Sequence, residues 1–185
     1  YRTYLFVKLY EKLKLTKQET KPIEIMDKKS KTLPLILAVD TSCDDTAASV
    51  LHGTTILSNV IASQTQLHKQ YGGVFPTVAK QAHKENIVPT IDAALKKARI
   101  SWEDLDALAV TAGPGLAPAL EVGITKMKEL AQEKRLSLIA VNHIEGHALS
   151  AIAQRNSRTG TKNTEEDKKK NDTKMSYPVI SVVVS

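Results

Sequence analysis

The stretch Leu35-Ile-Leu-Ala-Val-Asp40-Thr-Ser-Cys-Asp-Asp-Thr46-Ala-Ala-Ser-Val-Leu51 decides the fold. Leu35 to Val39 is an apolar run of strand length, and Ala47 to Leu51 is a second one, so each predicts a short buried strand. Between them Asp40-Thr-Ser-Cys-Asp-Asp-Thr46 is a polar turn, which makes the pair a hairpin with an acidic loop. His52-Gly53-Thr54 turns the chain again, and Ile56 to Ser63 predicts the third strand of an antiparallel meander.

Downstream the period changes. After a loop holding Tyr71-Gly-Gly-Val-Phe-Pro76, the apolar positions Val78, Ala82, Ile87, Ile91, Ala94, Leu95 and Ala98 fall at helical spacing, and Pro89 is expected to start or kink that helix. Ala107 to Thr111 predicts a strand that runs into Ala112-Gly-Pro-Gly115, a tight turn of the kind that opens a helix, here expected over Ala117 to Lys134. Leu136 to Val141 predicts another strand, and Asn142 leads into a short helix carrying His143-Ile-Glu-Gly-His147. Three antiparallel strands followed by alternating helices and strands predict an α/β layered fold with a mixed sheet. That is the order of a ribonuclease-H-like, actin-like half domain with its second half incomplete. The expected divisions are a basic extension over 1–33, an actin-like subdomain over 34–154, a flexible charged insertion over 155–176, and a final strand over 177–185.

The formal net charge of +6 suggests an anionic partner only if the charge lies on the folded part. Residues 1–33 contribute +5 and residues 154–176 contribute +3, leaving −2 for the remainder. The basic character therefore belongs to segments whose composition reads as solvated chain. Cys43 is the single cysteine of the 185 residues, which excludes an intrachain disulfide and points to a reducing, cytoplasmic compartment. The longest apolar runs, near Leu33 to Val39 and Val179 to Val184, are too short to span a bilayer. Residues 1–15 lack the apolar centre and cleavage site of a secretory signal. A first residue of Tyr1 and a last one inside an apolar run lead to the expectation of a fragment, with Met26 as a natural start.

Among residues that carry chemistry, His143 and His147 stand out. Four residues apart on a helix, they are separated by about 40° and project from one face, where two imidazoles can share a metal ion. The plainer reading of such a pair is a surface or capping role. Zinc or iron would need at least one further protein ligand and an open position. Glu145 lies about 200° around the helix from His143 and cannot sit beside the pair, and Ile144 occupies the position where a zinc protease carries its catalytic glutamate. A peptidase reading thus lacks its mechanistic basis. Asp40, Asp44 and Asp45, with Thr41, Ser42 and Thr46, make a loop whose amides and hydroxyls suit a phosphate, or else an ordinary polar turn. Gly113-Pro-Gly115 reads either as an anion-facing loop or as a strand-to-helix turn. Cys43 is expected as a small buried thiol. His68 and His83 are assigned no specific role, Trp102 a packing role, and Ser101 the cap of a turn.

Read together, Asp40-Thr-Ser-Cys-Asp-Asp-Thr46, Leu67-His-Lys-Gln-Tyr-Gly-Gly-Val-Phe-Pro76, Thr111-Ala-Gly-Pro-Gly-Leu116 and Val141-Asn-His-Ile-Glu-Gly-His147 resemble the tRNA threonylcarbamoyladenosine transferases of the bacterial and mitochondrial branch, a family once described as glycoproteases. The resemblance covers residues 35–153 and resumes at 177–185. It implies an acyltransferase that moves a threonylcarbamoyl group from threonylcarbamoyl-AMP to the exocyclic amine of the adenosine 3′ of the anticodon, in tRNAs reading codons that begin with A. It further implies one divalent ion, Fe or Zn, held by His143 and His147. Asp44 and Asp45 become the catalytic acidic positions of a nucleotide loop, with Thr41, Ser42 and Thr46 binding substrate. The implied partners are tRNA, a paralogous bacterial subunit and a small P-loop ATPase, with no membrane. The family's third metal ligand, an aspartate, and its Ser-Gly-Gly-His-Thr loop would lie at and beyond Ser185. Three departures from the pattern stand out: Asp40 and Asp45 replace the usual Glu, Thr77 replaces a usual Glu, and Lys126-Met127 replace residues that are usually small or apolar. A nonenzymatic paralogue of the same complex would lack the histidine pair, and an actin-superfamily ATPase or sugar kinase would not need it.

Overall fold

The computed structural model describes residues 33–150 and the backbone of 154–155. The expected extension over 1–33, apart from Leu33 itself, lies outside the described residues, as do most of the insertion over 155–176 and all of the final strand over 177–185. The hairpin expected from the sequence is present. Strand β1 (Leu35–Asp40) pairs antiparallel with β2 (Asp45–His52), and β2 pairs antiparallel with β3 (Thr55–Ser63). Strand β2 starts earlier than expected, so Asp45 and Thr46 belong to the strand and the acidic loop shrinks to residues 41–44. The register explains this, because Asp45 pairs with Ser63 and Thr46 with Ala62, extending the ladder past the apolar residues.

Helix α1 (Thr65–His68) and a 3₁₀ turn (Lys69–Tyr71) occupy what the sequence suggests is loop. One turn of helix is too short to show a period; it is tied down by the buried side chains of His68 and of Gln64 just before it. The His68 imidazole bonds Gln64 Oε1 through Nε2 at 3.1 Å, and its Nδ1 accepts from the Phe75 amide at 3.4 Å. Helix α2 (Pro76–Ala98) begins at Pro76, where a first-turn proline suits the unsatisfied amides. Pro89 therefore neither starts the helix nor ends it, but sits inside it at an exposed position. The buried face keeps Ala82, Ile87, Ile91, Ala94 and Leu95 of the expected stripe and adds Ala79, His83 and Thr90, while Val78 and Ala98 at its ends are half-buried.

A 3₁₀ turn (Trp102–Asp104) follows, where the amide and hydroxyl of Ser101 both donate to the Asp104 carboxylate, at 2.7 and 2.8 Å, the amide contact being the one a capping box makes from its third residue back to the cap. Strand β4 (Ala107–Gly113) leads into helix α3 (Ala117–Lys134), then strand β5 (Ser137–Asn142), helix α4 (His143–Leu149) and a two-residue strand β6 (Gln154–Arg155). The sheet order is β5-β4-β1-β2-β3-β6, with β4 parallel to both β1 and β5. Three antiparallel strands and two further parallel ones on the β1 side give the mixed α/β sheet expected of a ribonuclease-H-like half domain.

Alternation along the strands builds a core on each face. Leu37, Val39, Ala48, Val50, Leu108 and Val110 pack with Ile87, Ile91, Ala94, Met127 and Ala131 of α2 and α3. Ile36, Ala38, Leu51, Ile56, Ala107, Ala109 and Val141 form a smaller cluster on the other face. Fully burying a side chain the size of Leu37 or Leu108 contributes roughly 1.5–3 kcal/mol. This anchors β1 and β4, the central strands whose ends carry the site. No helix among the described residues is long and apolar enough to cross a membrane.

Candidate functional site

Because β1, β4 and β5 run parallel, their carboxyl ends at Asp40, Gly113 and Asn142 lie along one edge of the sheet, the edge where open α/β sheets place ligands. Helix α4 starts there directly. The Asn142 side chain accepts from the amides of Ile144 and Glu145 at 3.0 and 3.2 Å, capping the helix so that His143 is its first residue. Within one turn His143 and His147 then meet. Their Nε2 atoms are 2.9 Å apart and their rings stand edge-on at 88°.

The other nitrogen of His143 meets the loop after β1. Nδ1 lies 3.2 Å from Asp40 Oδ2 and 3.2 Å from Ser42 Oγ. The Ser42 amide donates to Asp40 Oδ1 at 2.7 Å, the side-chain-to-backbone turn that aspartate favours. Burial alone would raise the Asp40 pKa. The hydrogen bonds from His143 and the Ser42 hydroxyl, the charge of His143 and the Ser42 amide together outweigh it, and the carboxyl is held below its ordinary value.

The same loop is fixed from below. Thr41, fully buried, donates its hydroxyl to the Ala119 carbonyl of α3 at 2.9 Å, and the Leu116 amide donates to the Ser42 carbonyl at 2.7 Å. Gly115 and Gly123 make this approach possible. A Cβ on Gly115 would lie 2.6 Å from the Ser42 carbonyl oxygen, and one on Gly123 would collide with the Thr41 hydroxyl. From α2, His83 reaches the loop's far end, with Nε2 2.9 Å from the Cys43 carbonyl and Nδ1 2.8 Å from Thr46 Oγ1. A carbonyl only accepts, so Nε2 carries the proton and Nδ1 accepts from the threonine hydroxyl. Burial, the largest influence, lowers the His83 pKa despite the Cys43 carbonyl and the charges of Asp40 and Asp44, so a neutral ring suits the site.

The structure thus brings His143, His147, Asp40 and Ser42 together. It turns the hydroxyls of Thr41 and Thr46 inward, onto Ala119 and His83. Asp44 lies half-exposed on the turn and Asp45 opens β2. Cys43 is exposed rather than buried, because the loop's inward positions are taken by Thr41, Ser42 and Thr46. His83, given no role from the sequence, was detectable in principle: it lies four residues before Ile87 on the buried stripe of α2. Gly113 takes a φ of 145°, which a side chain would resist, so the turn after β4 requires glycine there.

The donor set fits a divalent ion. Two imidazole nitrogens each about 2.1 Å from one ion lie on the order of 3 Å apart, and a carboxylate on the opposite ring nitrogen is the usual support of a metal-ligating histidine. Among the described residues, no group of three or more His, Cys, Asp or Glu converges as a metal cage, so the pair would supply only two of the ligands such an ion needs.

Residues 55–160 match the family described as "TsaD: tRNA N6-adenosine threonylcarbamoyltransferase". Curated relatives bearing the name tRNA N6-adenosine threonylcarbamoyltransferase include one from Clostridioides difficile (strain 630), 51% identical over 114 residues, covering 61% of this chain and 34% of the relative. Another, from Lacticaseibacillus casei (strain BL23), is 50% identical over 118 residues, covering 63% of this chain and 35% of the relative. The chain spans about a third of the length of these relatives. Among solved structures, YeaZ from Pseudomonas aeruginosa aligns with a TM-score of 0.45 at 22% identity, over 60% of this chain and 44% of that one.

Proposed function

The chain belongs to the tRNA N6-adenosine threonylcarbamoyltransferase family, and from that premise we propose that the protein to which these residues belong transfers a threonylcarbamoyl group from threonylcarbamoyl-AMP to a tRNA adenosine. The acceptor is the exocyclic amine of the adenosine 3′ of the anticodon, in tRNAs reading codons that begin with A. The new bond joins that nitrogen to the carbamoyl carbon, the bond from that carbon to the phosphate oxygen breaks, AMP departs, and the amine gives up a proton.

The observation that supports this reading is the convergence of the two Nε2 atoms, 2.9 Å apart, beside the acidic loop at the carboxyl edge of the sheet. His143 and His147 would hold one divalent ion, Fe or Zn. Such an ion, when bound, supplies Lewis acidity toward the acyl group. Asp44 and Asp45 are the groups proposed to receive the amine proton or to order the phosphate region. Ser42, whose backbone and hydroxyl line the loop, is the proposed phosphate contact, while Thr41 and Thr46 contribute by pinning that loop. Acting on tRNA and an adenylate, the protein would work in the cytoplasm with a paralogous subunit and a P-loop ATPase, and a separate enzyme would make the adenylate.

The test is reconstitution at the length of the relatives, with partner proteins, threonylcarbamoyl-AMP and unmodified tRNA, followed by nucleoside mass spectrometry. The expected result is formation of threonylcarbamoyladenosine that drops at least about 100-fold in His143→Ala, the scale of losing one essential electrostatic contact. Undiminished modification by that variant would remove the role given to the pair.

A further inference from the structure

The strand that leads into the acidic loop ends on a carboxylate that points at His143, the first residue of the proposed metal pair. Asp40 ends β1, between the fully buried Val39 and Thr41, so its backbone is fixed by the central ladder of the sheet. Its two oxygens have separate engagements. Oδ1 takes the Ser42 amide at 2.7 Å, and Oδ2 faces His143 Nδ1 at 3.2 Å. An ionised carboxylate only accepts, so His143 carries a proton on Nδ1, and in the neutral ring, the form that can hold a metal ion, Nε2 then has its lone pair directed toward His147. The carboxylate stands on the ring nitrogen opposite that lone pair and so is not placed to ligate the same ion.

We propose that Asp40 is the positioning residue of the histidine pair, holding His143 in the Nδ1-protonated form and in the rotation that presents Nε2 to a divalent ion. The inference rests on the reading of His143 and His147 as a metal-holding pair. It differs from a phosphate or proton-transfer role for Asp40, since its contact is with the imidazole.

The replacement Asp40→Asn makes the inference sharply testable. The Ser42 amide still needs an acceptor, so the amide oxygen stays at the Oδ1 position and the NH₂ group faces His143 Nδ1. A donor there turns Nδ1 into an acceptor and moves the ring proton to Nε2, the atom the ion requires. In Asp40→Glu an acceptor remains. Zinc affinity of the purified protein, measured by competition with a chromophoric chelator, is expected to fall about ten- to a hundredfold in Asp40→Asn, the usual cost of removing such a support. In Asp40→Glu it should stay close to wild type.

Nitrogen-15 spectra of the metal-free wild-type protein supply an independent readout that needs no variant to fold. His143 should show Nδ1 protonated and Nε2 bare, and the pattern should reverse in Asp40→Asn. A wild-type His143 protonated on Nε2, or unchanged zinc affinity in Asp40→Asn, overturns the positioning role and leaves the metal pair standing. Equal zinc binding by wild type and a His143→Ala/His147→Ala variant overturns the metal pair, and the positioning role with it.

Discussion

Replacing Gly115 by alanine should disturb the site from a distance, through the backbone of Ser42. The added Cβ would stand 2.6 Å from the Ser42 carbonyl oxygen, 2.9 Å from its Cβ and 3.1 Å from its Cα. The nearest of these atoms is backbone, so no rotamer change relieves the clash. Ordinary contact begins near 3.4 Å, which requires Ser42 to retreat by roughly 0.8 Å. The Leu116 amide bond to that same carbonyl, 2.7 Å long, then stretches to about the limit of a hydrogen bond. Overpacking of this kind costs about 1–3 kcal/mol and a lost hydrogen bond about 1 kcal/mol. Against them stands a gain of about 0.4–1 kcal/mol from the stiffer unfolded chain. The net expectation is a loss of about 2 kcal/mol, read as a lower urea midpoint at unchanged slope. Gly73→Ala, where a Cβ would meet nothing within 4 Å, is the control and should stay within about 0.5 kcal/mol of wild type. A Gly115→Ala protein as stable as the Gly73→Ala control would refute the close approach of the two loops.

Two further outcomes follow from the same packing. His83 has its folded-state pKa lowered, so the unfolded chain takes up the proton first, near its ordinary value of about 6.5. The stability His83 contributes is complete above that value and is lost as pH falls toward the folded-state pKa. Urea midpoints at pH 7.5 and 5.5 should therefore differ less in His83→Gln than in wild type, and equal differences would contradict the neutral, buried ring. Helix α2 ends on Arg99 in the left-handed region, with φ at 59°. Arg99→Gly should stabilise the protein by about 0.5–1 kcal/mol in the same assay, because glycine adopts that conformation without a Cβ penalty; a loss of stability would show that the arginine's side chain outweighs its backbone strain.

Much of the fold was legible because the sheet announces itself. The apolar runs at 35–39 and 47–51 are strands, the long stripe from 78 to 98 is a helix, and the order of elements fixes a mixed sheet. What escaped were features without a period of their own. The one-turn helix at Thr65–His68 is too short to show one, and the start of β2 at Asp45 is set by pairing with Ser63 rather than by apolar residues. The histidine pair was readable from spacing alone, since four residues on a helix bring two rings to one face. The contact of Asp40 with His143 was not, because it joins positions 103 residues apart through the parallel alignment of β1, β4 and β5. The exposure of Cys43 escaped for a similar reason: in a short loop, which side chains turn inward is decided by α2 and α3 beneath it.

The claim on which the rest depends is that His143 and His147 grip one divalent ion through their Nε2 atoms. Metal content is the direct test: wild type and the His143→Ala/His147→Ala variant, loaded with zinc or with ferrous iron, freed of excess by dialysis and analysed by elemental mass spectrometry. Wild type should retain metal that the variant has lost. Equal retention by the two proteins, or none by wild type, would contradict the account.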